Sequence, residues 1–265
     1  MNEIEIDLNK SIEENASDYF ERAKKLKRKI DGAKLAVENF RKKLKTFEES
    51  IEKEKAKKKE SIERKEEVKK RWYDKYHWFV SSEGFLVIGG RDATTNEIII
   101  KKHTSEKDIV LHTDMKGSPF CVIKVDNEEK KPTIKTLQEA ADFTVSFSKA
   151  WKQGINSLEV FYVKPEQVTK EPRAGEYLTK GAFVIKGKVN YLNGKLNLSI
   201  GMLPDKRLMI GPYEAVSKNC SSEIIRIFPG KEKSSKIAKQ IQKKFNYNDL
   251  DEIIRLLPAG GISLK

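Results

Sequence analysis

Two polar clusters in this chain carry residue types that could do chemistry: Gly89-Gly90-Arg91-Asp92-Ala93-Thr94-Thr95-Asn96 and His112-Thr113-Asp114-Met115-Lys116-Gly117. A basic stretch, Lys164 to Tyr177, adds Lys170, Arg173, Gly175 and Glu176, and Lys186 and Lys188 follow it. One chemistry is hydrolysis, with His112 as a base oriented by Asp114 and with Asp92 and Glu176 as metal ligands. Residues two apart on a strand share a face but seldom bond as a dyad. There is also no nucleophile elbow, Walker loop or HExxH pattern. No catalytic residue is assigned, and no metal or cofactor is expected.

Binding RNA asks for less. It needs donors at turns, backbone N–H groups that glycines leave accessible, and lysines to neutralise phosphates. Arg91, Asn96, His112, Lys116, Lys170, Arg173, Lys186 and Lys188 supply the side chains, and Gly89, Gly90, Gly117 and Gly175 the backbone. Asp92, Asp114 and Glu176 do not suit phosphate. They are cast as orienters of Arg and Lys, or as acceptors from base amino groups or ribose hydroxyls. The plainer alternative is that Arg91 and Asp92 stabilise a turn and the glycine pair relieves strain.

Composition leans the same way. The 265 residues carry a formal charge of +13, and charged residues make up 35%, against a usual figure of about 25%. Such a balance points to a polyanionic partner, most simply RNA. Two cysteines, Cys121 and Cys220, make no disulfide framework or zinc site with only three histidines, and both read as buried thiols. No apolar run reaches membrane-span length, and the acidic N-terminus is unlike a signal peptide, so a cytoplasmic protein with no membrane partner is expected.

The elements that must position these residues read as α+β: a long N-terminal coiled-coil stalk, then a mixed, largely antiparallel sheet with a few helices. The stalk is residues 1–71. Its seam is Ile12, Ala16, Tyr19, Ala23, Leu26, Ile30, Ala33, Val37, Phe40, Leu44, Phe47 and Ile51, in unbroken steps of four and three. From 52 to 71 the seam is poor: either this part folds back as the second arm of a hairpin, or the first arm pairs with another chain. Trp72, Tyr73, Tyr76, His77, Trp78 and Phe79 form a hydrophobic joint at the start of the globular part, residues 72–265.

There, Phe85 to Ile88 is a strand ended by Gly89-Gly90, and the β-branched Ile98-Ile99-Ile100 reads as the returning strand. Ile109 to Leu111, Phe120 to Lys124, Leu158 to Val163, Ala182 to Lys188, Leu196 to Leu203, Arg207 to Ile210 and Glu223 to Phe228 are further strands. Thr136 and Glu139 predict a capping box for a helix over 137–151, ended by Gly154. The sheet region closes at about 229. C-terminal helices over 231–257 follow, the first with a stripe of Ile237, Ile241 and Phe245 under lysines, the last capped by Asn248.

Three stretches together resemble the NFACT family: WYDKYHWFVSSEGFLVIGGRDATTNEI (Trp72–Ile98), HTDMKGSPFCVIK (His112–Lys124) and QVTKEPRAGEYLTKGAFVIKGKVNYL (Gln167–Leu192). These are ribosome-associated quality-control factors, called NEMF in animals and fibronectin-binding-like proteins in bacteria. The matching portion is the family's coiled coil and C-terminal RNA-binding module. The family's N-terminal module and helix–hairpin–helix segment are not in this sequence, so Met1 is expected to begin a fragment. The resemblance implies an antiparallel stalk hairpin, with its turn expected between Phe47 and Lys59. It also implies partners: tRNA and rRNA, the large ribosomal subunit carrying a stalled nascent chain, and the upstream N-terminal module. Template-free C-terminal tailing, chiefly with alanine, is implied for the full protein. The rival reading is a coiled-coil protein-interaction module without direct RNA binding.

Overall fold

Between Gly32 and Gly84 the sequence has neither glycine nor proline, so nothing there stops a helix. The computed structural model describes residues 5–67, 71–126, 129–171 and 178–265. It shows α1 as one uninterrupted helix, Ile12–Glu67. Ser11 starts it: the Glu14 amide donates to Ser11 Oγ and the Ser11 amide to the Glu14 carboxylate, a reciprocal cap. The expected hairpin turn between Phe47 and Lys59 is absent, because no residue there breaks the intrahelical ladder. The expected seam lies open: Leu26, Ile30, Phe40 and Leu44 are all more than half exposed. Val68 of the proposed second arm lies outside the described residues. The chain divides into two compact units, Met1–Glu66 and Glu67–Lys265.

The second unit runs β1 (His77–Val80), β2 (Leu86–Gly89), α2 (Ala93–Lys102), β3 (Ile109–His112), β4 (Cys121–Ile123), α3 (Ile134–Ser146), α4 (Lys149–Gln153) and β5 (Ser157–Val163). It continues with β6 (Val168–Thr169), β7 (Val184–Ile185), β8 (Asn190–Lys195), β9 (Leu198–Met202), β10 (Leu208–Gly211) and α5 (Tyr213–Asn219). β11 (Ile225–Glu232), α6 (Ser234–Phe245), α7 (Leu250–Leu256) and β12 (Ile262–Leu264) complete it. Among the described residues three sheets form, of order β1-β2-β4-β3-β5-β8, β10-β9-β11-β12 and β6-β7. Every strand pair is antiparallel, so the α+β reading with antiparallel sheets holds.

The expected returning strand at Ile98-Ile99-Ile100 is instead the middle of α2. Local capping overrides β propensity here. Thr95 N donates to Asp92 Oδ1 at 2.7 Å, and Thr95 Oγ1 receives the amides of Arg91 and Asp92 at 2.8 and 2.9 Å. With the helix started, Ile99 goes to the core and Ile98 and Ile100 flank it.

α3 likewise begins at Ile134, after a Thr133 cap, rather than at Leu137 after the expected Thr136 cap. The Glu83 carboxylate, from the β1–β2 turn, receives the amides and hydroxyls of both Thr133 and Thr136. Thr136 is therefore buried inside the first turn, its hydroxyl serving Glu83 and Ser81. The expected single helix over 137–151 breaks at Phe147, and Ser148 caps α4, which Gly154 ends in the left-handed region (φ 68°).

α3 packs on β8, β5 and β3. Gly194 of β8 permits this, since a Cβ there would stand 2.7 Å from Ala141 O and Val145 Cγ2. Only Leu196 and Asn197 separate β8 from β9, so the chain passes directly between the two large sheets. Asn197 pins that crossing: its side chain donates to Asp142 and Glu214 and accepts from the Tyr213 amide.

In α6, Ile237 and Ile241 are buried and Lys236, Lys239, Lys243 and Lys244 are exposed, as the stripe predicts. Asp249, not Asn248, caps α7, accepting from Glu252 N at 3.0 Å. β11 runs through Pro229-Gly230, where the sheet was expected to close, and its pairing with β12 is irregular there. Cys121 is buried and its thiol is pushed up to about 12. Cys220 is half-buried and raised to about 11 by the same desolvation. Neither is a reactive thiolate at neutral pH. Among the described residues, no helix is long and apolar enough to cross a membrane.

Candidate nucleic-acid interface

The glycine pair at the end of β2 is there for packing. Gly89 lies against Cys121 Sγ and Phe143, and Gly90 is so close to Asn96 that a Cβ would stand 1.9 Å from Asn96 Oδ1. Both glycines are buried, and Gly90 N donates to Phe120 O at 3.1 Å. The expected accessible backbone at these two positions is therefore not what they provide. What they provide is room for Asn96, whose Oδ1 accepts from Phe120 N at 3.0 Å while its amide nitrogen points at Ser118 O. Asn96 is 8% exposed and acts as the rivet between the first turn of α2 and the 112–120 loop.

Arg91 is half-buried. Its Nη2 donates to Tyr76 O at 3.2 Å, and its buried Nε has no hydrogen-bond partner. Desolvation first, then the nearby Arg255, pulls the guanidinium below its usual pKa. Two guanidinium groups thus share one neighbourhood, an arrangement that favours an anion. Asp92 is exposed and held below the usual carboxylate range, first by the Thr95 amide and in part by Lys180.

His112 stacks on Phe120, with ring centroids 4.0 Å apart, and its Nε2 faces Ser118 O at 3.3 Å. Desolvation pushes it down to about 4, so the ring is neutral at pH 7. Beyond it, Thr113 and Ser118 share a 2.7 Å hydroxyl contact that closes the loop. Asp114, Lys116 and Gly117 are exposed on the outside of that loop. Gly117 lies against the Lys149 side chain, an exposed cation that sequence reasoning did not include.

The β6–β7 hairpin closes the third side. Phe183 meets Phe120 edge-on at 5.2 Å, and Lys170 Nζ sits 4.7 Å over the Phe183 ring. Lys170 also pairs with Glu97 of α2 at 3.5 Å, and the backbone at Gly181 lies directly against Ala93. Lys186 pairs with Glu171 at 2.6 Å, and Lys188 is exposed. The strand expected over Ala182 to Lys188 stops short of both lysines, because β7 ends at Ile185 and Gly187 turns the chain with φ 84°. Gln167 Nε2 holds that turn by donating to both lysine carbonyls. Arg173, Gly175 and Glu176 lie outside the described residues.

Three segments far apart in sequence therefore meet: 89–97, 112–120 and the described parts of 168–188, which are 168–171 and 178–188. Phe120, Phe183 and Glu97 are the residues that join them, and none was singled out from sequence. Phe120 read only as the start of a strand, and no pattern in the sequence pairs it with Phe183. Among the described residues, no group of three or more His, Cys, Asp or Glu is placed to hold a metal ion.

Residues 75–187 match the NFACT protein RNA binding domain, which spans all three segments apart from Lys188. The archaeal Rqc2 homolog aRqcH of Methanocaldococcus jannaschii is 40% identical over 195 residues, 71% of this chain and 28% of that protein. The ribosome quality control complex subunit NEMF of Mus musculus is 36% identical over 186 residues, 67% of this chain and 16% of that protein. Its Drosophila melanogaster homolog is 42% identical over 117 residues, 44% of this chain and 12% of that protein. The chain thus spans less than a third of the length of each of these relatives. By this domain and these relatives, the chain belongs to the NFACT family.

Proposed function

We propose that the globular unit binds RNA through the surface where 89–97, 112–120, 168–171 and 178–188 meet. The observation that carries this reading is the convergence itself. Its rigid floor is Asn96, His112, Phe120 and Phe183, and its rim presents Lys116, Lys149, Lys180 and Lys188. Lysines on a fixed frame suit phosphate contacts, which position an RNA without reading its sequence. Two of these relatives are named for the ribosome quality control complex. In that setting the RNA is tRNA or rRNA on a large ribosomal subunit with a stalled nascent chain, in the cytoplasm. The upstream module of the larger relatives is then a partner, and C-terminal tailing belongs to the assembled protein. No chemical step is assigned to this unit: the His112 nitrogen near Ser118 O is occupied, and Asp114 is exposed on the loop's outer side.

Salt dependence tests it. Each phosphate left unneutralised reduces the slope of log Kd against log salt by roughly 0.7 to 0.9. Lys116→Glu with Lys188→Glu should weaken binding of all RNAs and flatten the slope by about one to two units. Unchanged affinity and slope would remove this surface from the reading. A second reading, protein interaction through the stalk, is favoured by one observation, the open apolar seam of α1. It predicts RNA affinity indifferent to both lysines.

A further inference from the structure

The aromatic joint is not uniform. Tyr73, Tyr76, Trp78 and Phe79 are buried at 7% exposure or less, whereas Trp72 is 45% exposed. Its indole is nevertheless held in place. One face lies parallel to the His103 ring at the C-terminal end of α2, with centroids 4.5 Å apart and planes 17° apart. Tyr73 and Tyr76 meet it edge-on at 5.6 and 6.3 Å. His103 is itself fixed, because its carbonyl accepts from Lys124 Nζ at 2.9 Å and its amide donates to Ile99 O. An indole that is clamped on one side and nearly half open to solvent is an unfinished stack.

The charges around it are cationic. Lys75, Lys124 and Lys102 all lie close enough to His103 to disfavour its protonation, after the effect of its own burial. Lys124 is committed to buried Asp108, but Lys102 is exposed and Lys75 sits 5.1 Å over the Tyr76 ring. The neighbouring carboxylates are already engaged, Asp74 by Arg207 and Asp205 by Arg207 and Arg71. A half-exposed indole in one cluster with two exposed ammonium groups fits a nucleobase with its own backbone phosphates. It does not fit an apolar peptide side chain, which has no use for the lysines.

We propose that Trp72, backed by His103, is a stacking platform for one unpaired base of an RNA strand, with Lys75 and Lys102 taking the adjoining phosphates. The site lies at the opposite end of α2 from the surface proposed above, roughly 15 Å away along the helix. This inference rests on the RNA-binding reading and sharpens it: the strand engaged here is single-stranded, because a base inside a duplex cannot offer its face.

Trp72 is also its own reporter. Of the three tryptophans, Trp78 and Trp151 are 3% and 2% exposed. The experiment titrates the 265-residue chain with a short single-stranded oligoadenylate and with a duplex RNA of equal length, following indole emission and labelled-RNA anisotropy. Expected are quenching by the single strand, a roughly 5- to 100-fold loss of single-strand affinity in Trp72→Ala, near-full retention in Trp72→Tyr, and unchanged duplex affinity in both. Circular dichroism confirms that each variant is folded, and Trp72→Tyr carries the argument should the alanine variant be unstable. Wild-type affinity for the single strand in Trp72→Ala would overturn the platform and leave the RNA-binding reading standing. Equal losses for single strand and duplex would also overturn it. Failure of the wild-type chain to bind either RNA would overturn both.

Discussion

At the scale of single residues, His112 shows how far a role can be moved by its surroundings. From the sequence it is a titratable group on a strand beside Asp114, open to an acid–base reading. In the fold it is a flat neutral surface pressed on Phe120, with burial holding its pKa near 4. Its ordinary unfolded value is about 6.5, so as pH falls between these values the unfolded chain takes up a proton that the fold refuses. Stability from this group is complete above about pH 6.5 and is lost towards pH 4, by up to about 3 kcal/mol. Buried Glu139 and Asp142 have raised pKa values from desolvation and push the other way, so the whole-protein profile mixes both. The clean measurement is the difference between wild type and His112→Gln in urea melts across this range. That difference should shrink as pH falls, and a pH-independent difference would show that the ring is not buried in its neutral form. The same residue scale explains part of what the sequence could not show. Gly89-Gly90 was legible as a special place, but whether a glycine exposes backbone or makes room for Asn96 depends on what lies opposite it in space.

At the scale of elements, short-range signals were read correctly where one signal acted alone. α6 with its lysine face and Gly154 as a helix stop are as expected, and the strands at 109–111, 120–124 and 158–163 lie within two residues of where they were placed. Errors arose where two signals competed. Ile98-Ile99-Ile100 favours a strand by propensity, but Asp92 and Thr95 close a cap that costs the strand its start. Removing that cap should therefore be felt. Asp92→Ala should destabilise the unit by about 1 kcal/mol and, because α2 carries both Asn96 and His103, should raise amide exchange along 93–103 first. Exchange that rises uniformly across the sheet instead would mean the cap is not local. β8 was missed for a different reason. Asn190-Tyr191-Leu192-Asn193-Gly194-Lys195 lacks β-branched residues, and its glycine is explained only by α3 lying on it.

At the scale of the whole molecule, a long N-terminal helix and an α+β part with antiparallel sheets were legible from charge and periodicity. The pairing of the helix was not, since a heptad seam states that something packs there without stating what. Leu26 and Phe40 are 59% and 68% exposed. Leu26→Asp with Phe40→Asp should leave the melting of the sheet unit, read from buried Trp78 and Trp151, within about 0.5 kcal/mol of wild type. A larger shift would show that the seam side chains are packed rather than open in solution. The short link through Leu196 and Asn197 bears on a different matter, that of what can be cut out. The stretch matched to the RNA-binding domain stops at 187, yet β8 at 190–195 covers β5 from Ser157 to Tyr162. The portion matched to the family's domain is smaller than the portion that closes its own sheet. Trimmed at that boundary, the piece would keep every residue of the domain match and gain a bare strand edge, the ordinary template for aggregation. The domain match and foldability draw their borders in different places here, and an excised binding unit must follow the second.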